Sequence, residues 1–362
     1  MPESSQTRIV DSAASDGQYE VLPQYTIISY GVDFDVSGLV QRLETFDIEI
    51  PSFQREFVWS FRQAARFIES LLLGFPVPGI FLWREPSTER LVVVDGQQRL
   101  RSLQSFYRGV IRGREFVLPT RTSRYQAVRH AFQGKEYRTL EDEDRRRLDN
   151  SIIHATVVVQ ERPPEDDSSI YYLFERINTE GTALTAQEIR AAIYRGGLID
   201  LLASLNQTQP WRDIYGPPSL RMKDRELILR FLALYDSAED YARPMSEFLN
   251  EYIRRNRNPP PDQLDRISSL FTSTIEAVHQ SIGARAFRPG YALNAAVYDA
   301  VMVGLARRLA RGPIDDISAV RQRYASLVSS QEFEEAYTQA TADIDRVTQR
   351  LELATEAFAT VD

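Results

Sequence analysis

The spacing of apolar positions predicts mixed strands and helices over the first half of the chain. Gln24 to Tyr30 has strand character. From Val36 to Phe46, Leu39, Val40, Leu43 and Phe46 recur at helical spacing, which predicts a short helix with those four on its buried side. Ile48 and Ile50 flank a polar residue, and Pro51 holds Ile50 extended, so a short strand ends there. Ser60 is a good N-cap for a helix from Phe61 to Leu73, with Ala64, Phe67, Ile68, Leu71 and Leu72 on one face and Gly74 at its end. Pro76 and Pro78 lead into a strand over Ile80 to Trp83, and Arg90 to Asp95 forms the next. That second strand stops in an Asp-Gly turn, and an amphipathic segment runs on from Leu100 to Tyr107. Ile152 to Gln160 is a further strand. Helices follow over Ile170 to Ile177, capped by Ser168 or Ser169, and over Ala186 to Tyr194, capped by Thr185.

Beyond residue 197 the pattern predicts helices only, over 198–206, 222–236, 245–256, 262–282, 291–311, 314–328 and 332–358. Proline clusters at Pro217-Pro218 and Pro259-Pro260-Pro261 separate them. The fold class is therefore α+β, with a small mixed-sheet N-terminal domain and an all-α C-terminal domain. The expected divisions are a small, polar, disordered tail at 1–22, a domain at 23–197 and a helical domain at 198–362.

Composition narrows the chemistry. Of 362 residues, 43% are hydrophobic, enough for a real core. There is no cysteine, which excludes disulfides, thiolate-held zinc and a thiol nucleophile. No basic-then-apolar leader opens the chain, and no apolar run approaches the roughly 20 residues that span a bilayer. A soluble cytoplasmic protein with no membrane partner is expected. A net charge of -8 argues against general polyanion binding. Lysine stands only at Lys135 and Lys223, so the basic groups are nearly all arginines. Between Arg101 and Arg147, twelve basic residues face six acidic ones, with Tyr107, Phe116, Tyr125, Phe132 and Tyr137 interleaved. That stretch reads either as a nucleic-acid face or as a solvated surface whose aromatics turn inward.

The densest polar chemistry sits at Asp95-Gly96-Gln97-Gln98-Arg99. A turn that opens a helix exposes unpaired N–H groups, which attract anions. Arg99 would add a permanent forked charge. Asp95 could hold Mg²⁺ or orient a water, and Gln97 or Gln98 could position the attacking water. A solvated β-turn is the alternative. Gln54-Arg55, between Phe53, Phe57 and Trp59, reads as part of a rigid binding loop or as a pinned surface loop. Arg176-Ile177-Asn178 with Gly181 reads as a functional loop or as a helix C-cap at Asn178. His130, His154 and His279 have no metal-ligand spacing, and His154 reads as structural. Glycine-rich phosphate loops of the Walker or Rossmann type are absent.

Taken together, four ordered segments resemble the GmrSD-type N-terminal domain family, also called domain of unknown function 262. They are Ile50-Pro51-x-Phe53-Gln54-Arg55-x-Phe57-Val58-Trp59, Leu71-Leu72-x-Gly74-x-Pro76-Val77-Pro78, Val94-Asp95-Gly96-Gln97-Gln98-Arg99-Leu100, and Phe174-x-Arg176-Ile177-Asn178-x-x-Gly181-x-x-Leu184-x-x-x-Glu188-Ile189-Arg190. The resemblance implies a core similar to the ParB/sulfiredoxin fold, in which a Gly-x-x-Arg turn, here Gly96 to Arg99, holds nucleotide phosphates. It implies a role in modification-dependent restriction or anti-phage defence, with a nucleoside triphosphate, often GTP, bound or hydrolysed with Mg²⁺. Asp95, Gln97 and Gln98 would then serve hydrolysis. Gly96 and Arg99 would grip phosphates, Gln54 and Arg55 would complete the pocket, and Arg176 and Asn178 would close it. Larger relatives carry a histidine-metal nuclease domain that this sequence lacks. The expected partners are therefore the triphosphate, DNA, a separate HEPN-like nuclease subunit and further copies of the chain. The competing expectations are a non-enzymatic DNA-binding scaffold and, behind it, a stand-alone ParB-like nuclease.

Overall fold

A computed structural model describes residues 9–10, 25–51, 59–86, 88–119, 132–163, 168–177 and 184–361. They form two compact units. One holds residues 23–184; the other holds 185–362 together with the N-terminal stretch 1–22. In that stretch, β1 (Ile9–Val10) pairs in parallel with β9 (Leu293–Asn294), two residues of strand in a region whose pattern reads as helical throughout.

The first unit is built on a mixed sheet. Its strands are β2 (Thr26–Asp35), β3 (Ile48–Glu49), β4 (Ile80–Arg84), β5 (Leu91–Asp95) and β8 (Ile152–Arg162), in the order β2-β8-β4-β5-β3. The β2/β8 and β4/β5 pairs are antiparallel; β8/β4 and β5/β3 are parallel. β2 runs beyond its predicted end at Tyr30 because it pairs along nearly the whole of β8, as far as Asp35 with Ile152. Within that ladder His154 lies opposite Asp33, its Nδ1 2.8 Å from the carboxylate, which fits a structural role.

One face of the sheet is covered by α1 (Val36–Glu44), α2 (Phe61–Leu72), α3 (Gln97–Arg108) and α4 (Asp142–Asp149), around a core that includes Leu39, Ile68, Leu82, Val93, Leu103 and Val157. α5 (Ser168–Ile177) lies against β5. A small hairpin, β6 (Val110–Ile111) with β7 (Arg114–Glu115), follows α3. The α2 cap is as predicted: Gln63 N–H donates to Ser60 Oγ, and Ser60 N–H donates to Gln63 Oε1 at 2.9 Å. Ser60→Ala should cost about 1 kcal/mol of stability in urea unfolding; an unchanged midpoint would show that the cap is idle. One expectation fails. Phe46 lies past the end of α1 at a positive φ of 62° and is 64% exposed, so it has left the helical face on which spacing placed it.

In the helical unit, α12 (Ala295–Leu309) is buried on nearly every side. It packs mainly on α15 (Ile344–Ala359) and α9 (Lys223–Ser237). The α12–α15 approach is close: a Cβ on Gly304 would sit 2.8 Å from the Ala354 backbone. Charged pairs tie the other helices together. Arg190 of α6 (Ala186–Ile193) donates to Asn250 at 2.8 Å and to Glu226 at 2.9 Å, and Glu188 accepts from Arg221 at 3.0 Å. Glu188 and Arg190 are thus engaged in packing. Among the described residues, no helix is long and apolar enough to cross a membrane.

Candidate functional site

β5 carries Asp95 at its C-terminal end, and Gly96 turns the chain into α3. Gly96 has φ 100°, a left-handed conformation. A Cβ there would lie 2.4 Å from Ile80 Cγ2 on the neighbouring strand, so space and torsion both demand glycine. No side chain caps α3. The first N–H groups of the helix, those of Gln97, Gln98 and Arg99, are its natural anion contacts.

Arg99 clamps this turn. Its Nη1 donates to the carbonyls of Pro78 at 2.9 Å and Gly79 at 2.6 Å, and its Nη2 donates to Asp95 Oδ2 at 2.7 Å. Three of the five guanidinium donors are spent, which leaves Nε and one Nη2 hydrogen. The bonds join the segment leading into β4 to the turn that leaves β5. Asp95 keeps Oδ1 without a partner among the described residues, and its side chain is 40% exposed. Gln98 faces another way: its Oε1 accepts from the Trp59 N–H at 3.1 Å, which anchors the residues ahead of α2 to α3.

Gln97 and Arg101 sit one turn apart on α3 and so share a face. Gln97 Oε1 and Arg101 Nε are both buried, and neither has a hydrogen-bond partner among the described residues. Burial lowers the pKa of the Arg101 guanidinium, and no carboxylate among the described residues offsets it. Farther along the same face, Gln104 and Arg108 are both satisfied by Glu44, at 3.1 Å and at 2.9 and 2.7 Å. The Arg108 hydrogen bond holds the Glu44 carboxyl below its ordinary pKa. The contrast isolates Gln97 and Arg101. Arg101 stood out in the sequence only as the first member of a basic stretch; its spacing of four from Gln97 was the available signal.

The rest of that stretch resolves into ordinary structure. Phe116 and Phe132 are buried in the core, and Tyr107 stacks on Tyr137 at 4.0 Å, both bonded to Asp149. Lys135 pairs with Glu141, Arg145 with Asp142 and Arg147 with Glu143. Tyr125, Arg121, Arg124 and Arg129 lie outside the described residues, as do Gln54, Arg55, Asn178 and Gly181. Arg176 is exposed in the last turn of α5.

For a metal, the described residues contain no group of three His, Asp or Glu side chains that could hold one. Asp95 alone offers a free carboxylate oxygen at the turn. That fits Mg²⁺ only in the mode where one carboxylate and the ligand's phosphates share the ion with water.

Residues 36–195 match the family model described as GmrSD restriction endonuclease, N-terminal domain. No curated protein matches the chain.

Proposed function

Residues 36–195 belong to the GmrSD restriction endonuclease N-terminal domain family, a family of restriction systems, and on that premise we propose that this chain binds a nucleoside triphosphate, preferentially GTP, at the Asp95–Arg99 turn and hydrolyses it. It acts as the regulatory subunit of a prokaryotic anti-phage or modification-dependent restriction system and couples the nucleotide to DNA and to a separate HEPN-like nuclease. The supporting observation is the uncapped start of α3 behind a left-handed Gly96, with a clamped arginine and a free carboxylate oxygen beside it.

The residues divide the work as follows. The N–H groups of Gln97, Gln98 and Arg99 receive phosphate oxygens, as helix starts do. Arg99 adds its two unspent donors while its other three hold the turn rigid. Asp95 Oδ1 would hold Mg²⁺, which would supply positive charge to offset that of the phosphates. Gln97 Oε1, buried and unpaired, accepts a hydrogen from the attacking water, and Gln98 fixes the adjoining segment through Trp59. Gln54 and Arg55 complete the pocket, and Arg176 with Asn178 closes it.

The test is calorimetric titration with each nucleoside triphosphate, plus a phosphate-release assay with and without Mg²⁺ and DNA. GTP binding with Mg²⁺-dependent phosphate release is expected. Failure to bind any triphosphate would overturn the reading. Strongly salt-dependent DNA binding in its place would favour a non-enzymatic scaffold.

A further inference from the structure

Within the nucleotide site proposed above, and resting on that reading, we infer that Arg101 is the cation that recognises the polyphosphate chain, whereas Arg99 chiefly holds the turn. The two arginines stand two residues apart and are in opposite states. Arg99 is committed: three donors are bound to Pro78, Gly79 and Asp95. Arg101 is uncommitted among the described residues: its Nε is buried with no acceptor there, and no carboxylate there balances its charge.

A guanidinium N–H buried with nothing among the described residues to accept it is a standing cost to the ligand-free protein. Along the same helix face the fold solves this problem twice, giving both Gln104 and Arg108 to Glu44. It leaves Arg101 unsolved, one helical turn beyond Gln97 at the start of α3. Beside it, Gln97 offers an unpaired acceptor. An unfilled donor and an unfilled acceptor one helical turn apart match a ligand that carries an anionic chain and a hydroxyl or water. A triphosphate is such a ligand. Its oxygens supply the charge-assisted bonds that Arg101 lacks, which are stronger than bonds between neutral groups.

The inference has a two-sided consequence. Arg101→Met keeps most of the side-chain length and removes the unpaired charge. The ligand-free variant should therefore have a melting temperature equal to or above that of the parent, because no bond among the described residues is lost. Its affinity for GTP with Mg²⁺ should fall at least tenfold. Affinity for guanosine, which has no phosphates, should not change. Arg101→Lys should recover part of the GTP affinity, since it restores the charge but not the fork.

Calorimetric titrations of the parent and both variants with GTP and with guanosine, alongside thermal melts, make the test. If the parent binds GTP and Arg101→Met binds it within twofold, the inference falls and the nucleotide reading stands. A drop of several degrees in the ligand-free melting temperature would also overturn it, by showing that Arg101 holds the fold. If the parent binds no triphosphate, the nucleotide reading fails and carries the inference with it.

Discussion

Replacing Asp299 with Asn should cost the helical unit about 3–5 kcal/mol, the range for breaking a buried ion pair from one side. Asp299 lies on α12 with no solvent exposure. It accepts from Arg230 Nη2 at 2.6 Å and Nε at 3.2 Å, and from Arg350 Nη2 at 3.2 Å. Both arginines are buried, and Arg350 spends another donor on the Thr341 carbonyl at 2.6 Å. Burial already lowers the Arg350 pKa, with the Asp299 charge acting against that fall. Asparagine keeps the shape and deletes the negative charge that, among the described residues, these two guanidiniums share. The companion variant has a different outcome. Arg350→Met leaves Arg230 and Asp299 as a balanced pair and should cost less than half as much as Asp299→Asn. Urea unfolding of the two variants, followed by tryptophan fluorescence, makes the comparison. Equal losses would mean that charge balance is not what matters at this position.

That cluster also shows where sequence reasoning stops. The strands at Ile80 and Leu91, the Ser60 cap and the helix starting after Thr185 follow from local chemistry, and the structure contains all of them. Buried charge is harder to read. Arg230 and Asp299 are 69 residues apart, and each alone looks like a polar position on an amphipathic helix. Only the packing of α9 on α12 turns them inward together. The same holds for Arg190 with Glu226 and for Asn206 with Asp224. A single helix predicted over 332–358 is in fact two, α14 (Gln331–Thr338) and α15, parted where Ala340 takes a positive φ of 47°. Alanine gives no warning of that, since nothing in its side chain prefers a turn.

At the candidate site the split is similar. Asp95 to Arg99 was conspicuous because polar groups crowded a strand end. Which group was free and which was spent could not be seen, because the acceptors that occupy Arg99 belong to Pro78 and Gly79, some twenty residues away. Arg101 gives no such signal, because what sets it apart is a missing partner among the described residues, and a missing partner is visible only once the fold has assigned the others.

The turn itself should be the least tolerant point of the first unit, and Gly96→Ala measures this. Two costs add. A residue with a Cβ at this left-handed φ of 100° pays about 1–2 kcal/mol for the torsion. The new methyl also falls 2.4 Å from Ile80 Cγ2, and overpacking of that kind costs typically about 1–3 kcal/mol. Ile80 is 1% exposed in the core and has nowhere to retreat, so the total should be roughly 2–5 kcal/mol. The two parts can be separated. In an Ile80→Ala background the steric part shrinks while the torsional part stays, so Gly96→Ala should cost about 1 kcal/mol less there than in the parent. Strict additivity in that double-mutant cycle would refute the clash. A turn pushed off Ile80 also moves Asp95 away from Arg99, and the affinity for GTP should fall with the stability. Arg101→Met should uncouple those two losses; Gly96→Ala should bind them together, because here the backbone that would hold the ligand is the same backbone that joins the sheet to its helix.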